Sequence, residues 1–161
     1  MHRLAADFLK QPVAVNGPGL ATYRNPNFVL DSFGLGSEPV RKAKAAGIYS
    51  SEFIAKITAQ HRVAAAMVYE AWFPSQLPPQ RVKVARLQTE PVTAAYGEVT
   101  IFAIADQYMT IINQALRKVK NTSPERVILK MLLCVIAILE KLNLFRRQTS
   151  GGRRWTSLSG M

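Results

Sequence analysis

The sequence predicts a mainly α protein, an up-and-down bundle of three to four main helices with a small strand element. Three observations predict it. Apolar residues recur at spacings of three and four through three long segments, which is the helical period. One segment alone alternates at the strand period. Pro and Gly cluster in the early chain and at the breaks between the long segments. At 161 residues and 48% hydrophobic content, the chain fits one domain with a buried core.

The elements follow in order. Met1 to Leu9 reads as a short helix with Leu4, Phe8 and Leu9 on one side. Gln11 to Glu38 carries Pro12, Gly17, Pro18, Gly19, Pro26, Gly34 and Gly36, the chemistry of turns. Phe28, Val29, Leu30 and Phe33 anchor that loop to the core. Pro39 opens a short helix, Val40 to Ala46, stopped by Gly47. Ser50 or Ser51 caps the next helix. Phe53, Ile57, Ala64, Met67, Val68 and Ala71 carry it to about Trp72, before Pro74.

Arg81-Val82-Lys83-Val84-Ala85-Arg86-Leu87 alternates basic and apolar residues, the strand signal. One strand cannot form a sheet, so it must pair with the 11–38 loop or with a neighbouring subunit. Val92 to Val119 reads as the second long helix. Its apolar face is Val99, Phe102, Ala103, Ala105, Met109, Ile112 and Leu116. Ser123-Pro124-Glu125 offers a cap, a Pro at the first position and an acid in the first turn, so a third long helix is expected from Pro124 to about Phe145. It is apolar nearly all round from Val127 to Leu139, which suits a central place or a partner. The expected organisation is therefore one domain over 1–161: a loop-rich segment 1–38, a helical bundle 39–145 and a basic tail 146–161.

Lys and Arg number 21 against 10 acids, a net charge of +11. The excess is uneven. Residues 1–40 are neutral overall. Residues 117–161 hold ten cations opposed by Glu125 and Glu140, a net of +8. Such a field concentrates anions, and nucleic acid is the expected partner. Two clusters carry it. Arg117, Lys118, Lys120 and Arg126 sit at the junction of the last two helices, where amides at the expected helix start, 124–126, add a second anion-binding element. Phosphate contacts of this kind position a backbone rather than read sequence. Arg146, Arg147, Arg153 and Arg154, with Trp155, suit single-stranded nucleic acid held by charge and stacking.

Enzyme signatures are absent. Gly17-Pro18-Gly19 lacks the spacing and the Lys of a phosphate loop, and Gly34-Leu35-Gly36 lacks a third glycine. His2 and His61 are the only histidines, and His61 has no second histidine at metal-ligand spacing. Glu70 and Glu98 read as isolated carboxylates. Cys134 is the one cysteine, which excludes an internal disulfide and a cysteine-based zinc site, and it reads as a buried thiol. No catalytic residue, metal, cofactor or small-molecule substrate is therefore expected. The longest apolar run, Met131 to Leu139, is too short for a membrane span of about 20 residues. Met1 to Leu20 shows no signal-peptide or transit pattern.

Several short motifs fall in one family's order. They are Asn27-Phe28-Val29-Leu30, the helix opened by Pro39, Gln60-His61-Arg62, Trp72 with Pro74-Ser75, the strand Arg81 to Leu87, Phe145-Arg146-Arg147 and Trp155-Thr156-Ser157. Together they resemble the coat proteins of rod-shaped plant RNA viruses, the tobamovirus type, over about residues 23–157. The resemblance implies a capsid protein that self-assembles into a helical rod and coats single-stranded RNA, in virions and host cytoplasm. It also implies that Arg117, Lys118, Lys120 and Arg126 meet RNA phosphates at the inner ends of two radial helices. The chain departs from that family in lacking the paired acids after the Arg run and in its higher positive charge, so pH-controlled disassembly is not expected. The alternative is a non-enzymatic accessory subunit of an organellar or ribonucleoprotein complex, with a hetero-partner for the apolar last helix. A peripheral membrane protein ranks below both, because no helix joins a Lys-rich face to a clean apolar one.

Overall fold

A computed structural model describes residues 1–89, 97–123 and 127–132. All but Leu132 belong to one compact unit, Met1–Met131. The strands are β1 Val13–Val15, β2 Val29–Asp31, β3 Ala65–Val68, β4 Val82–Thr89, β5 Glu98–Ala103 and β6 Val127–Met131. The α-helices are α1 Gly19–Thr22, α2 Glu38–Ala45, α3 Ser51–Gln60 and α4 Met109–Thr122. Leu4–Leu9 forms a π-helical turn.

The strands make a single mixed sheet in the order β2-β1-β3-β5-β4-β6. β1 is parallel to both β2 and β3, while the pairs β3–β5, β5–β4 and β4–β6 are antiparallel. The fold is α/β, and this overturns the expected up-and-down helix bundle over 39–145. The strand expected at 81–87 is β4, and its partners are β5 and β6 rather than the early loop.

The bundle expectation failed where the sheet is buried on both sides. Ala65 to Val68 is enclosed at every position. A strand covered on both faces loses its polar alternation and reads as a continuous apolar run, in which spacings of three and four arise by chance. The helix expected from Ser51 to Trp72 therefore stops at Gln60. Ser50 does cap it, its Oγ accepting from the Phe53 amide at 3.3 Å. The chain then turns through Arg62, whose φ of 51° is left-handed, and enters β3. Likewise, Val92 to Val119 is not one helix. Val99-Thr100-Ile101-Phe102, rich in β-branched and aromatic residues, forms central strand β5, and α4 begins only at Met109. Ser123, expected to open a third helix, ends α4 in extended backbone, and 127–131 is strand. The rest of that expected helix, the tail 146–161 and Cys134 lie outside the described residues. The 11–38 loop also hides β1, three residues wholly buried between Pro12 and Gly17.

Side-chain alternation assigns two faces. Ala14, Leu30, Ala66, Val68 and Phe102 join one core cluster with Val40 of α2, Ile57 of α3, Val63 and Phe73. Met67 and Ile101 point the other way and share a cavity with Leu116 and Val119 of α4 and with Leu4. The π-helical turn packs against α4. The connection from β2 to β3 carries α2 and α3 past β1, because β3 lies on the far side of β1 from β2.

Candidate nucleic-acid interface

α4 is built as a surface helix. Met109, Ile112, Ala115, Leu116 and Val119 form its buried stripe. Arg117, Lys118 and Lys120 are exposed on its last turns. No Asp or Glu occurs between Met109 and Thr122. The helix end is closed locally. The Ser123 hydroxyl donates to the Val119 carbonyl at 2.7 Å, and the Thr122 hydroxyl donates to Lys118 at 2.9 Å. Arg3 Nη1 donates to the Thr122 carbonyl at 2.8 Å, placing a fourth cation at this end. Cations suit the negative pole of a helix, which explains their position in part.

Arg3 also pairs with Asp7 at 3.9 Å, and three other acids are engaged elsewhere. Glu38 pairs with Lys42 at 2.9 Å, Glu70 with Lys83 at 2.6 Å, and Glu98 with Arg86 at 3.4 Å. Among the described residues, Arg117, Lys118 and Lys120 have no ion-pair partner. The structure therefore brings together three of the eight residues expected to contact RNA. Arg126, Arg146, Arg147, Arg153 and Arg154 lie outside the described residues. The helix-start amides expected at 124–126 lie outside the described residues, and the next described element, 127–131, is strand β6.

Glu70 and Glu98, read from sequence as isolated, line one small pocket with Tyr69 and Thr100. The apolar spacing of the sequence places β3 and β5 in helices and so hides this neighbourhood, whereas their antiparallel pairing sets Val68 opposite Thr100. The chemistry there is that of paired charges. Thr100 Oγ1 and Lys83 Nζ both meet Glu70 at 2.6 Å, and Gln88 Nε2 donates to Glu98 at 2.7 Å. Burial pushes the Glu70 pKa up, but hydrogen bonds from Lys83 and Thr100 and the charges of Lys83 and Arg86 outweigh it and leave the pKa below its usual 4.5. A folded-state pKa below the unfolded one means stability that is present above about pH 4.5 and lost as pH falls through the folded value. The stability advantage of wild type over Glu70→Gln should shrink as pH drops from about 6 to about 3, measured by urea unfolding. An advantage that is flat or growing over that range would contradict the pairing.

The carboxyl ends of β1, β2 and β3 are where open α/β sheets bind ligands. Here they carry Asn16, Asp31 and Tyr69, and internal hydrogen bonds occupy them. Asn16 Oδ1 accepts from the Tyr69 amide at 3.1 Å. Asp31 Oδ1 accepts from the Phe33 and Gly34 amides at 2.9 and 3.1 Å, and Oδ2 accepts from Gly36. Tyr49 donates to the Ser32 carbonyl at 2.6 Å. Burial, helped by Asp31 and opposed by Arg81, pushes its pKa up to about 12, so the donor proton stays in place at neutral pH. His61 closes α3 and stacks on Phe28 at 4.2 Å, a packing role.

No group of three or more His, Cys, Asp and Glu placed to hold a metal occurs among the described residues. None of their helices is long and apolar enough to cross a membrane. No curated protein and no solved structure matches the chain. One family model, described as a domain of unknown function, DUF8728, matches residues 1–128. That span covers α4 with Arg117, Lys118 and Lys120, and excludes the Arg-rich tail. With most of its length matched, the chain belongs to the DUF8728 family.

Proposed function

We propose that this domain binds single-stranded RNA through its phosphates, as a non-enzymatic component. The observation that carries this reading is the exposed end of α4: three cations without an ion-pair partner among the described residues on the last turns, and no acid on the helix. An unpaired cation loses no native partner when it meets a phosphate, and it releases counterions from the nucleic acid. The net charge of +11 adds long-range attraction. Assembly into a coat is not part of the proposal. That geometry needs two radial helices flanking residues 117–126, whereas α4 is followed by a strand.

The test is fluorescence anisotropy of a labelled uridine oligonucleotide against NaCl, using the full chain. Each phosphate contact on a single strand adds about 0.7 to the slope of log K on log salt. Arg117→Ala/Lys118→Ala/Lys120→Ala should reduce that slope by about 2 and weaken binding at least about tenfold. A slope equal to wild type would sink the proposal.

A further inference from the structure

Arg81 precedes β4 and is 9% exposed. Its Nη2 is enclosed with no hydrogen-bond partner, and its guanidinium forms no ion pair among the described residues. Burial pushes its pKa down to about 10, with Tyr49 acting the other way, so it is still a cation at neutral pH. A lone buried cation is unfavourable for the fold. Something other than stability accounts for it most directly, and an anion held in the cleft that Arg81 lines would compensate the charge.

The surroundings fit such an anion. Arg81 lines an open cleft of about 400 Å³ against α3. Arg62 lines the same cleft, and so do the polar side chains of Gln80 and Tyr108. No carboxylate lines it; Asp106, the acid nearest in sequence to its lining residues, is exposed. Ala55 and Ala59 give one wall a small, apolar surface.

Arg62 adds an independent sign. It follows α3 at the position where helices favour glycine, with the Arg62 amide bonded to Ala59 and the Val63 amide to Thr58. Its φ of 51° is strained for any residue with a Cβ. A guanidinium is thus kept at the cleft mouth at a conformational cost.

We propose that this cleft binds a phosphate monoester, with the phosphoryl group between Arg81 and Arg62 and the organic part against the alanines of α3. Two guanidiniums on different elements approach a tetrahedral dianion from different directions, which suits phosphate better than a planar carboxylate. The cleft adjoins the N-terminal end of α4, about 15 Å along that helix from the cations at its other end, so it is separate from the surface proposed for RNA.

Phenyl phosphate and benzoate, at matched ionic strength, are the probes, and thermal unfolding and titration calorimetry are the readouts. Phenyl phosphate should raise the wild-type Tm in a saturable way, and benzoate should not. Arg81→Met removes the buried charge, so its Tm without ligand should be equal or higher and its response to phenyl phosphate lost. Arg62→Gly relieves the backbone, so it should fold at least as well as wild type yet bind phenyl phosphate about tenfold more weakly. If Arg81→Met fails to fold, Arg62→Gly decides alone. Equal affinity in wild type and Arg62→Gly, an equal response to benzoate, or no saturable response in wild type overturns the proposal.

Discussion

Asp31→Ala is expected to lower the unfolding free energy by about 3 kcal/mol, a large share of the 5–15 kcal/mol typical of a domain. Asp31 is 3% exposed at the end of β2, and its two oxygens accept from three backbone amides in the loop that leads to α2. Alanine leaves those amides without their acceptor in a loop that cannot relax freely. Gly34 holds a φ of 90°, and a Cβ there would meet Val40 Cγ1 at 3.1 Å, so the loop backbone lies tight against α2. Phe33 is pinned by Trp72, with ring centroids 4.7 Å apart, and by Lys44, whose Nζ lies 3.6 Å from its ring centroid. Asp31→Asn should fall between wild type and alanine. Its one carbonyl oxygen can still serve Phe33 and Gly34, but its amide group faces the Gly36 N–H donor to donor. Urea midpoints for the three proteins provide the check. Alanine within about 0.5 kcal/mol of wild type would show that water replaces the carboxylate at little cost.

Phe102→Ala is expected to cost about 3–5 kcal/mol. Phe102 is 4% exposed in the middle of β5 and belongs to the cluster that joins the sheet to α2 and α3. Its neighbours on that face of the sheet are Ala14 and Ala66, already minimal in size, so they cannot swell to fill the space. The cavity should therefore stay largely open, which places the cost toward the top of the range. Lys83 lies over the ring with its Nζ 5.8 Å from the centroid and would lose that contact as well. A loss under about 1.5 kcal/mol in denaturant unfolding would mean that α2 and α3 collapse onto the sheet more freely than their packing implies.

The two substitutions act on different levels of legibility. Asp31 stood in a stretch dense with Gly and Pro, and nothing in that stretch separates an acid that ties a loop from one that is merely solvated. Phe102 was legible as a core residue, but at helical spacing beside Val99 and Met109 it was attributed to the wrong element. The same holds for Ala64, Met67 and Val68. Burial was readable there, but the period was not, because a strand covered on both faces has no polar side to mark it. The candidate RNA contacts were readable as charges. Their exposure was not, and 127–131, expected to be part of a helix, is strand β6. Arg81 was read as one basic residue of an alternating strand. Its burial beside a cleft that α3 also lines is a tertiary feature, which no local pattern reports.

By itself, the sequence determined the net charge and its concentration after residue 117, a serine cap for α3 at Ser50 or Ser51, the strand β4 and the identity of part of the core, Leu30, Ile57, Met67, Phe102 and Leu116 among it. These depend on composition or on contacts between residues a few positions apart, so local chemistry suffices. Tertiary structure alone decided that β1, β2, β3, β5 and β6 exist, that they join in one sheet, and that Arg81 and Arg62 share a cleft. Those facts depend on pairings across tens of residues, such as Val13 with Ala65 and Ala85 with Met131, in which each strand is stabilised by hydrogen bonds to a neighbour distant in the chain.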